Sequence, residues 1–235
     1  MMAKNDNPLE KYFRANKGNL IHKWLHYFDI YDHHFERFRD KEVVILEFGV
    51  AHGGSLQMWK NYFGKKARII GVDIDPTCSK LVEKQVEIYI GSQEDSTFLK
   101  KLMSDIGTVD IVIDDGGHTV KQQNTTFDEV YSYVRDGGVY LVEDLHTNYW
   151  NEFGGGLRKQ GTFIERSKGL IDELYAWHSR DAESLKVTEF TKTTPSIHFY
   201  DSIIVFEKST VPEPSHKQIG KPTIGDVERW EYRNN

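Results

Sequence analysis

The chain has 235 residues, 38% of them hydrophobic and 13% aromatic, enough for one domain with a substantial core. Its 30 basic and 36 acidic residues leave a net charge of −6 with no basic run, which argues against nucleic acid or an anionic membrane surface as the main partner. A single cysteine, Cys78, excludes an internal disulfide and a thiolate zinc cluster. The opening "MMAKNDNPLEKYF" has no apolar signal core and no segment reaches membrane-span length, so the expectation is a soluble, cytoplasmic protein.

In chain order, Leu20, Ile21, Trp24, Leu25 and Phe28 mark an amphipathic helix within a helical lead-in, residues 1–40. From residue 43 short apolar runs alternate with helical patterns. "VVILEF" (43–48) reads as a strand and "SLQMWKNYF" as a helix with Leu56, Trp59 and Phe63 on one face. "ARIIGVD" (67–73), "VEIYI" (86–90), "VDIVID" (109–114) and "GGVYLVED" (137–144) read as further strands. Between them lie "STFLKKLM" and a helix carrying Phe127, Val130, Tyr131 and Val134. Runs that are apolar almost throughout belong to strands covered on both faces, so the fold class is α/β with a doubly wound, mostly parallel sheet.

After residue 145 the rhythm changes. "HTNYWNEFGGGLRKQG" suits a mobile loop over a site, a lid at about 146–162, with Tyr149, Trp150 and Phe153 available to stack on a ring. A helix with Leu170, Ile171, Leu174 and Tyr175 on one face should follow. "LKVTEFTKTT" and "SIHFYDSIIVFEK" have a β-like pattern and read as an antiparallel pair at the sheet edge, closing a domain over 41–208. Residues 209–235 read as an extended tail. The arms at both ends suit contacts between copies, a homo-oligomer.

In open α/β sheets ligands sit beyond the carboxyl ends of the strands. Those ends carry Glu47, Asp73, the "GSQED" turn, Asp114-Asp115 and Glu143-Asp144. The first turn has Gly49 and then Gly53-Gly54, which is neither the G-x-G-x-x-G of a dinucleotide site nor a P-loop, since no lysine follows Gly54. An acid at Glu47 would repel phosphate and favour a cation. S-adenosylmethionine carries a sulfonium and an ammonium and no phosphate. Asp73 stands where a carboxylate accepts from both ribose hydroxyls. An NAD-dependent dehydrogenase is the weakest reading of this turn.

The strands ending at Asp115 and Glu143 should be neighbours about 5 Å apart. Carboxylates so close raise each other's pKa or bind a cation, and oxygen ligands without cysteine suit a hard ion such as Mg²⁺. A metal ion and a histidine are what hydroxyl activation requires, and a histidine follows each acidic pair, His118 and His146. Adjacent residues at a strand end point oppositely, so Asp114 is expected to face the cofactor rather than the metal.

The segments "LEFGVAHGGSLQMWKNYF", "IIGVDID", "GSQED", "VDIVIDDGGH" and "GGVYLVEDLHTNYW" resemble the class I S-adenosylmethionine-dependent methyltransferases over roughly residues 30–207. They are similar to the metal-dependent O-methyltransferases of macrolide sugars and to the cephalosporin-hydroxylase family. The resemblance implies a Rossmann-like sheet of seven strands with the last antiparallel. It implies Glu47, Gly49, Gly53 and Gly54, with Ser55 closing the turn, around the methionine part of the cofactor. Asp73 would take the ribose and Gln93 the adenine. Asp115, Glu143 and Asp144 would ligate the metal, and His118 would be the base. The implied acceptor is a hydroxyl of a sugar-containing or other small metabolite. The turn departs from the common E-x-G-x-G-x-G, which leaves the individual glycine contacts open. Two readings stand beside this one: a catechol-type methyltransferase, which would have Asp-Asn and a lysine base, and a non-catalytic cofactor-binding subunit.

Overall fold

The computed structural model describes residues 7–221 and 223. Strands β1 (Val44–Phe48), β2 (Arg68–Asp73), β3 (Val86–Ile90), β4 (Val109–Asp114), β5 (Val134–Val142), β6 (Ser196–Phe199) and β7 (Ile204–Glu207) form one sheet in the order β3-β2-β1-β4-β5-β7-β6. The first five pair in parallel, while β7 runs antiparallel to both its neighbours, β5 and β6. The strand order reverses between β1 and β4, which places a crevice at their carboxyl ends.

Strand alternation divides the core in two. Ile45, Ile69, Ile111, Ile113, Val139 and Leu141 face helices α1 (Pro8–Ala15), α2 (Tyr27–Phe35) and α3 (Gly54–Phe63). Leu46, Ile70, Val72, Val112, Tyr140 and Phe206 face α4 (Ser96–Ile106), α5 (Val120–Val130) and α6 (Phe163–Glu173). The lead-in shares the first of these clusters through Leu9, Phe28, Tyr31 and Phe35. Among the described residues no helix is long and apolar enough to cross a membrane.

Several elements differ from the sequence expectation. No helix spans Leu20 to Phe28: α2 starts at Tyr27, residues 16–24 are irregular, and Leu20, Trp24 and Leu25 are exposed. Gly18-Asn19 interrupts the helix, and Lys23 is drawn towards the sheet instead. "LKVTEFTKTT" holds a short helix, α7 (Glu189–Thr193), because Thr188 and Thr191 form a capping box; the edge hairpin lies wholly within "SIHFYDSIIVFEK". Val134 opens β5 rather than extending α5, and Ile171 and Tyr175 are exposed because α6 turns Phe163 and Ser167 inward. The tail is pinned at its start by Ser209 and Val211 amides on Thr193 and Lys192 carbonyls. Residues 1–6, 222 and 224–235 lie outside the described residues.

Candidate active site

A cavity of about 420 Å³ opens where β1 and β4 diverge, lined by the turns after β1 to β5 and by residues 20–24 of the lead-in. The turn after β1 is shaped by backbone. Gly49 has φ +91°, and a Cβ there would sit 2.0 Å from the Asp115 carbonyl oxygen, so only glycine lets the ends of β1 and β4 approach. Gly54 lies against the Leu20 carbonyl, 2.3 Å from where its Cβ would be. Gly53, left-handed at φ +74°, is the N-cap of α3 and lies behind the cavity wall; it offers no side chain to the first turn. The amino end of α3, with Gly54 and Ser55 on the cavity, is therefore open to an anion.

Not every expected cofactor residue lines the cavity. Glu47 is fully buried behind it, accepting from Ser55 Oγ at 2.9 Å and Trp59 Nε1 at 3.1 Å. Burial is the main cause that pushes its carboxyl up to about 7, against the opposing pull of Lys23. Asp114 is likewise turned inward, where Gln93 Nε2 donates to it at 2.9 Å, and burial raises it to about 7. At a strand end the inward and outward positions alternate, and the outward one here is Asp115. Gln93 lines the cavity, but its amide is committed: Nε2 also donates to Thr126 Oγ1, and Oε1 accepts from the Gly117 amide at 2.9 Å. Asp73 lines the cavity and braces the first turn, its Oδ2 accepting from the Val50 and Ala51 amides at 2.8 and 2.9 Å.

The two acidic strand ends do meet. Sheet pairing continues past both strands, with the Asp115 amide on the Phe48 carbonyl and the Glu143 amide on the Asp114 carbonyl. Asp115, His118 and Asp144 each turn one ligand atom to a common point, all within 4.8 Å of one another. His118 Nε2 lies 3.4 Å from Asp144 Oδ2 and 3.9 Å from Asp115 Oδ1. His118 and Asp144 are both left-handed without being glycine, backbone strain of the kind found at functional sites. Thr147 holds them there, its hydroxyl 2.9 Å from both their carbonyl oxygens. His118 Nδ1 is buried with no partner among the described residues, so the imidazole is not consumed by a structural bond. This oxygen-rich set with one open imidazole fits a divalent ion.

Glu143, the other expected ligand of this strand end, lines the cavity but is engaged by the lead-in. It is 1% exposed, and its oxygens accept from Tyr31 Oη at 2.7 Å and Lys23 Nζ at 3.0 and 3.1 Å. The same ammonium bonds Asp115. Burial opposes charge on Lys23, but Asp115, Glu143 and Glu47 hold its pKa above the ordinary lysine value. Tyr27 donates to Asp144 Oδ1 at 2.6 Å. Lys23, Tyr27 and Thr147 were missed in the sequence, where no spacing links Lys23 or Tyr27 to strand ends about a hundred residues away; Tyr31 was expected only as a wall of the pocket. His146 bonds Ser202 and stands between Trp24 and Trp150, with ring centroids at 5.9 and 5.0 Å. His34 lies elsewhere, between Glu207 and Tyr200. The expected lid is folded onto the body: Thr147 and Asn148 are buried, and Asn148 donates to Gln123 at 2.6 Å.

A family model described as a methyltransferase domain matches residues 46–145, which hold the first four strand ends and the second acidic pair. Residues 46–145 thus form a methyltransferase domain of the class I S-adenosylmethionine-dependent kind. Among the relatives of this chain is an 8-demethyl-8-(2-methoxy-alpha-L-rhamnosyl)-tetracenomycin-C 3'-O-methyltransferase of Streptomyces olivaceus, 36% identical over 195 residues, 79% of this chain and 50% of the relative. Another is the demethylmacrocin O-methyltransferase of Streptomyces fradiae, 34% identical over 207 residues, 83% of this chain and 52% of that one. Among solved structures, the MycE methyltransferase of the mycinamycin biosynthetic pathway, in complex with Mg, SAH and mycinamycin VI, superposes with a TM-score of 0.75. It is 31% identical, covering 87% of this chain and 53% of MycE. The chain spans about half the length of the curated relatives it matches.

Proposed function

We propose that the protein transfers a methyl group from S-adenosylmethionine to a hydroxyl of a sugar-bearing small molecule, assisted by a divalent cation such as Mg²⁺. The observation that carries this reading is the convergence of Asp115, His118 and Asp144 on one point at the edge of the cavity. The sugar O-methyltransferase relatives and the Mg- and SAH-bound MycE structure support it.

In this reading the open amino end of α3 receives the methionine carboxylate, with Gly54 and Ser55 at hand. Asp73 faces the ribose, and Gly91, Ser92 and Gln93 wall the adenine side. Glu47 acts from behind, fixing Ser55 rather than touching ligand. When bound, the cofactor supplies an electrophilic methyl and the divalent ion lowers the pKa of a coordinated hydroxyl. Asp115 and Asp144 hold the ion, with Glu143 as the third carboxylate. His118 stands beside the ion without ligating it and takes the hydroxyl proton at Nε2, the nitrogen that faces the acids. Holding acceptor oxygen and methyl in line is the remaining task of the cavity walls.

The test is calorimetric. Chelator-stripped protein saturated with S-adenosylhomocysteine is titrated with Mg²⁺, and wild type is compared with Asp144→Asn. Saturable binding that the substitution weakens at least about tenfold supports the reading. Equal binding by both proteins, or none by either, removes the metal from it.

A further inference from the structure

The lead-in places a cation at the strand ends before any metal arrives. The Lys23 side chain is 3% exposed, and all of its hydrogen bonds go to Asp115 and Glu143, 92 and 120 positions away. Its neighbours are in contrasting positions. Ile21 is anchored in the core, while His22, Trp24, Leu25 and His26 are exposed. Between Ile21 and Tyr27 the buried tie to the sheet is the Lys23 side chain; at the surface His26 also bonds the Asp201 carbonyl and the Trp24 ring packs on His146. That same segment forms part of the cavity mouth through His22, Lys23 and Trp24.

The ammonium and a divalent ion compete for the same atoms. Glu143 Oε1 already accepts from both Tyr31 and Lys23, and Oε2 from Lys23. Tyr31 and Lys23 thus take three of the roughly four lone-pair sites of the Glu143 carboxylate, so a small hard cation at about 2.1 Å from its ligand oxygens has to compete there with an ammonium at 3.0 Å. A divalent ion seated only on Asp115 and Asp144 would stand close to a buried like charge, and the repulsion is large at low dielectric. A doubly charged ion also attracts Glu143 more strongly than the lysine does.

We propose that Lys23 is a positioning residue: a resident counter-cation that keeps Asp115 and Glu143 assembled and is displaced when the divalent ion binds, freeing residues 22–26 at the cavity mouth. This rests on the metal reading above. Without metal, Lys23 keeps the buried Glu143 and the partly exposed Asp115 from repelling each other, so the ligand geometry is preformed. With metal, the long side chain swings towards solvent and the mouth widens, so acceptor entry follows metal entry.

The experiment uses the full chain, chelator-stripped and saturated with S-adenosylhomocysteine, and reads Lys23 acetylation by an activated acetate ester through mass spectrometry. Lys65, which is exposed, serves as the internal reference. Saturating Mg²⁺ should raise the Lys23 rate at least about tenfold relative to Lys65. In parallel, Mn²⁺ binding is followed by the resonance of the free ion, and Lys23→Met should bind at least about tenfold more tightly than wild type. Metal bound to wild type with Lys23 still protected would overturn the proposal, as would a Lys23→Met protein that folds and binds no more tightly. Should Lys23→Met fail to fold, the wild-type acetylation rate decides alone. Mn²⁺ binding by Lys23→Met only would overturn displacement while leaving the acids as a metal site. No binding by either protein would remove the metal reading itself.

Discussion

His118 Nε2 lies 3.4 Å from Asp144 Oδ2, and each of the two residues occupies the left-handed region, at φ 58° and 54°. Such backbone costs on the order of 1–3 kcal/mol per residue and persists only where the surroundings enforce it. Here Thr147 enforces it, reaching both carbonyl oxygens from one buried hydroxyl.

If that strain serves proton transfer, His118→Asn is the informative substitution, because asparagine tolerates the left-handed conformation. S-adenosylhomocysteine affinity should stay within about threefold of wild type, and kcat should fall by roughly 10²–10⁴. Retained kcat would remove the histidine from the chemistry.

Glu47 gives a pH signature in the ligand-free protein. Its carboxyl is pushed up to about 7 by burial, against 4.5 for the unperturbed group. Between those values the folded protein keeps a proton that the unfolded chain has lost, so the contribution is fully present below about 4.5 and is lost as pH rises through 7. Wild type should therefore lose stability from pH 5 to 8, by on the order of 1–3 kcal/mol more than Glu47→Gln. Thermal melts at both pH values check this; parallel losses in the two proteins would contradict it.

Gly49→Ala tests the turn itself. The added Cβ would strike backbone, the Asp115 carbonyl at 2.0 Å and Gly116 Cα at 2.9 Å, and no rotamer relieves it. A stability loss on the order of 2–5 kcal/mol in urea unfolding is expected, with weakened S-adenosylhomocysteine binding. A change below about 0.5 kcal/mol would mean the ends of β1 and β4 are not so tightly joined.

Much of this architecture was legible because the central strands carry uninterrupted apolar runs, and strands that end in acids must place them at the crevice. Neighbouring strands β4 and β5 followed from the same logic, and with them the meeting of Asp115 and Asp144. What failed depended on tertiary context. Which carboxylate of the first pair faces the cavity turned on one residue of register: Asp114 points in and Asp115 out, whereas Glu143 and Asp144 both line it. The 20–28 stretch has a helical pattern of apolar residues, but Lys23 pairs with two acids of the strand ends, Asp115 and the buried Glu143, from an irregular segment, a long-range pairing that periodicity does not encode. "LKVTEFTKTT" lost its β-like reading to a local capping box.

Trp24, which lines the cavity, begins a run of rings that continues onto the segment after β5. Trp24, His146, Trp150 and Phe153 follow one another at centroid distances of 5.9, 5.0 and 5.7 Å, with Trp24 and Trp150 half exposed. A sugar or polycyclic acceptor stacked there would gain about 1 kcal/mol or slightly more per ring. Trp150→Ala should therefore raise the KM for a rhamnosylated acceptor about five- to tenfold and leave S-adenosylhomocysteine affinity unchanged. An unaltered KM would place the acceptor elsewhere.

Methyl transfer itself is the most direct measurement. The protein, stripped of metal, is incubated with methyl-labelled S-adenosylmethionine and a rhamnosylated polyketide acceptor, with and without Mg²⁺. Label on a sugar hydroxyl, dependent on Mg²⁺ and lost in Asp144→Asn, is the expected result. Cofactor that binds normally while no hydroxylated acceptor is methylated with metal present would contradict it and leave a cofactor-binding subunit without a transferase activity of its own.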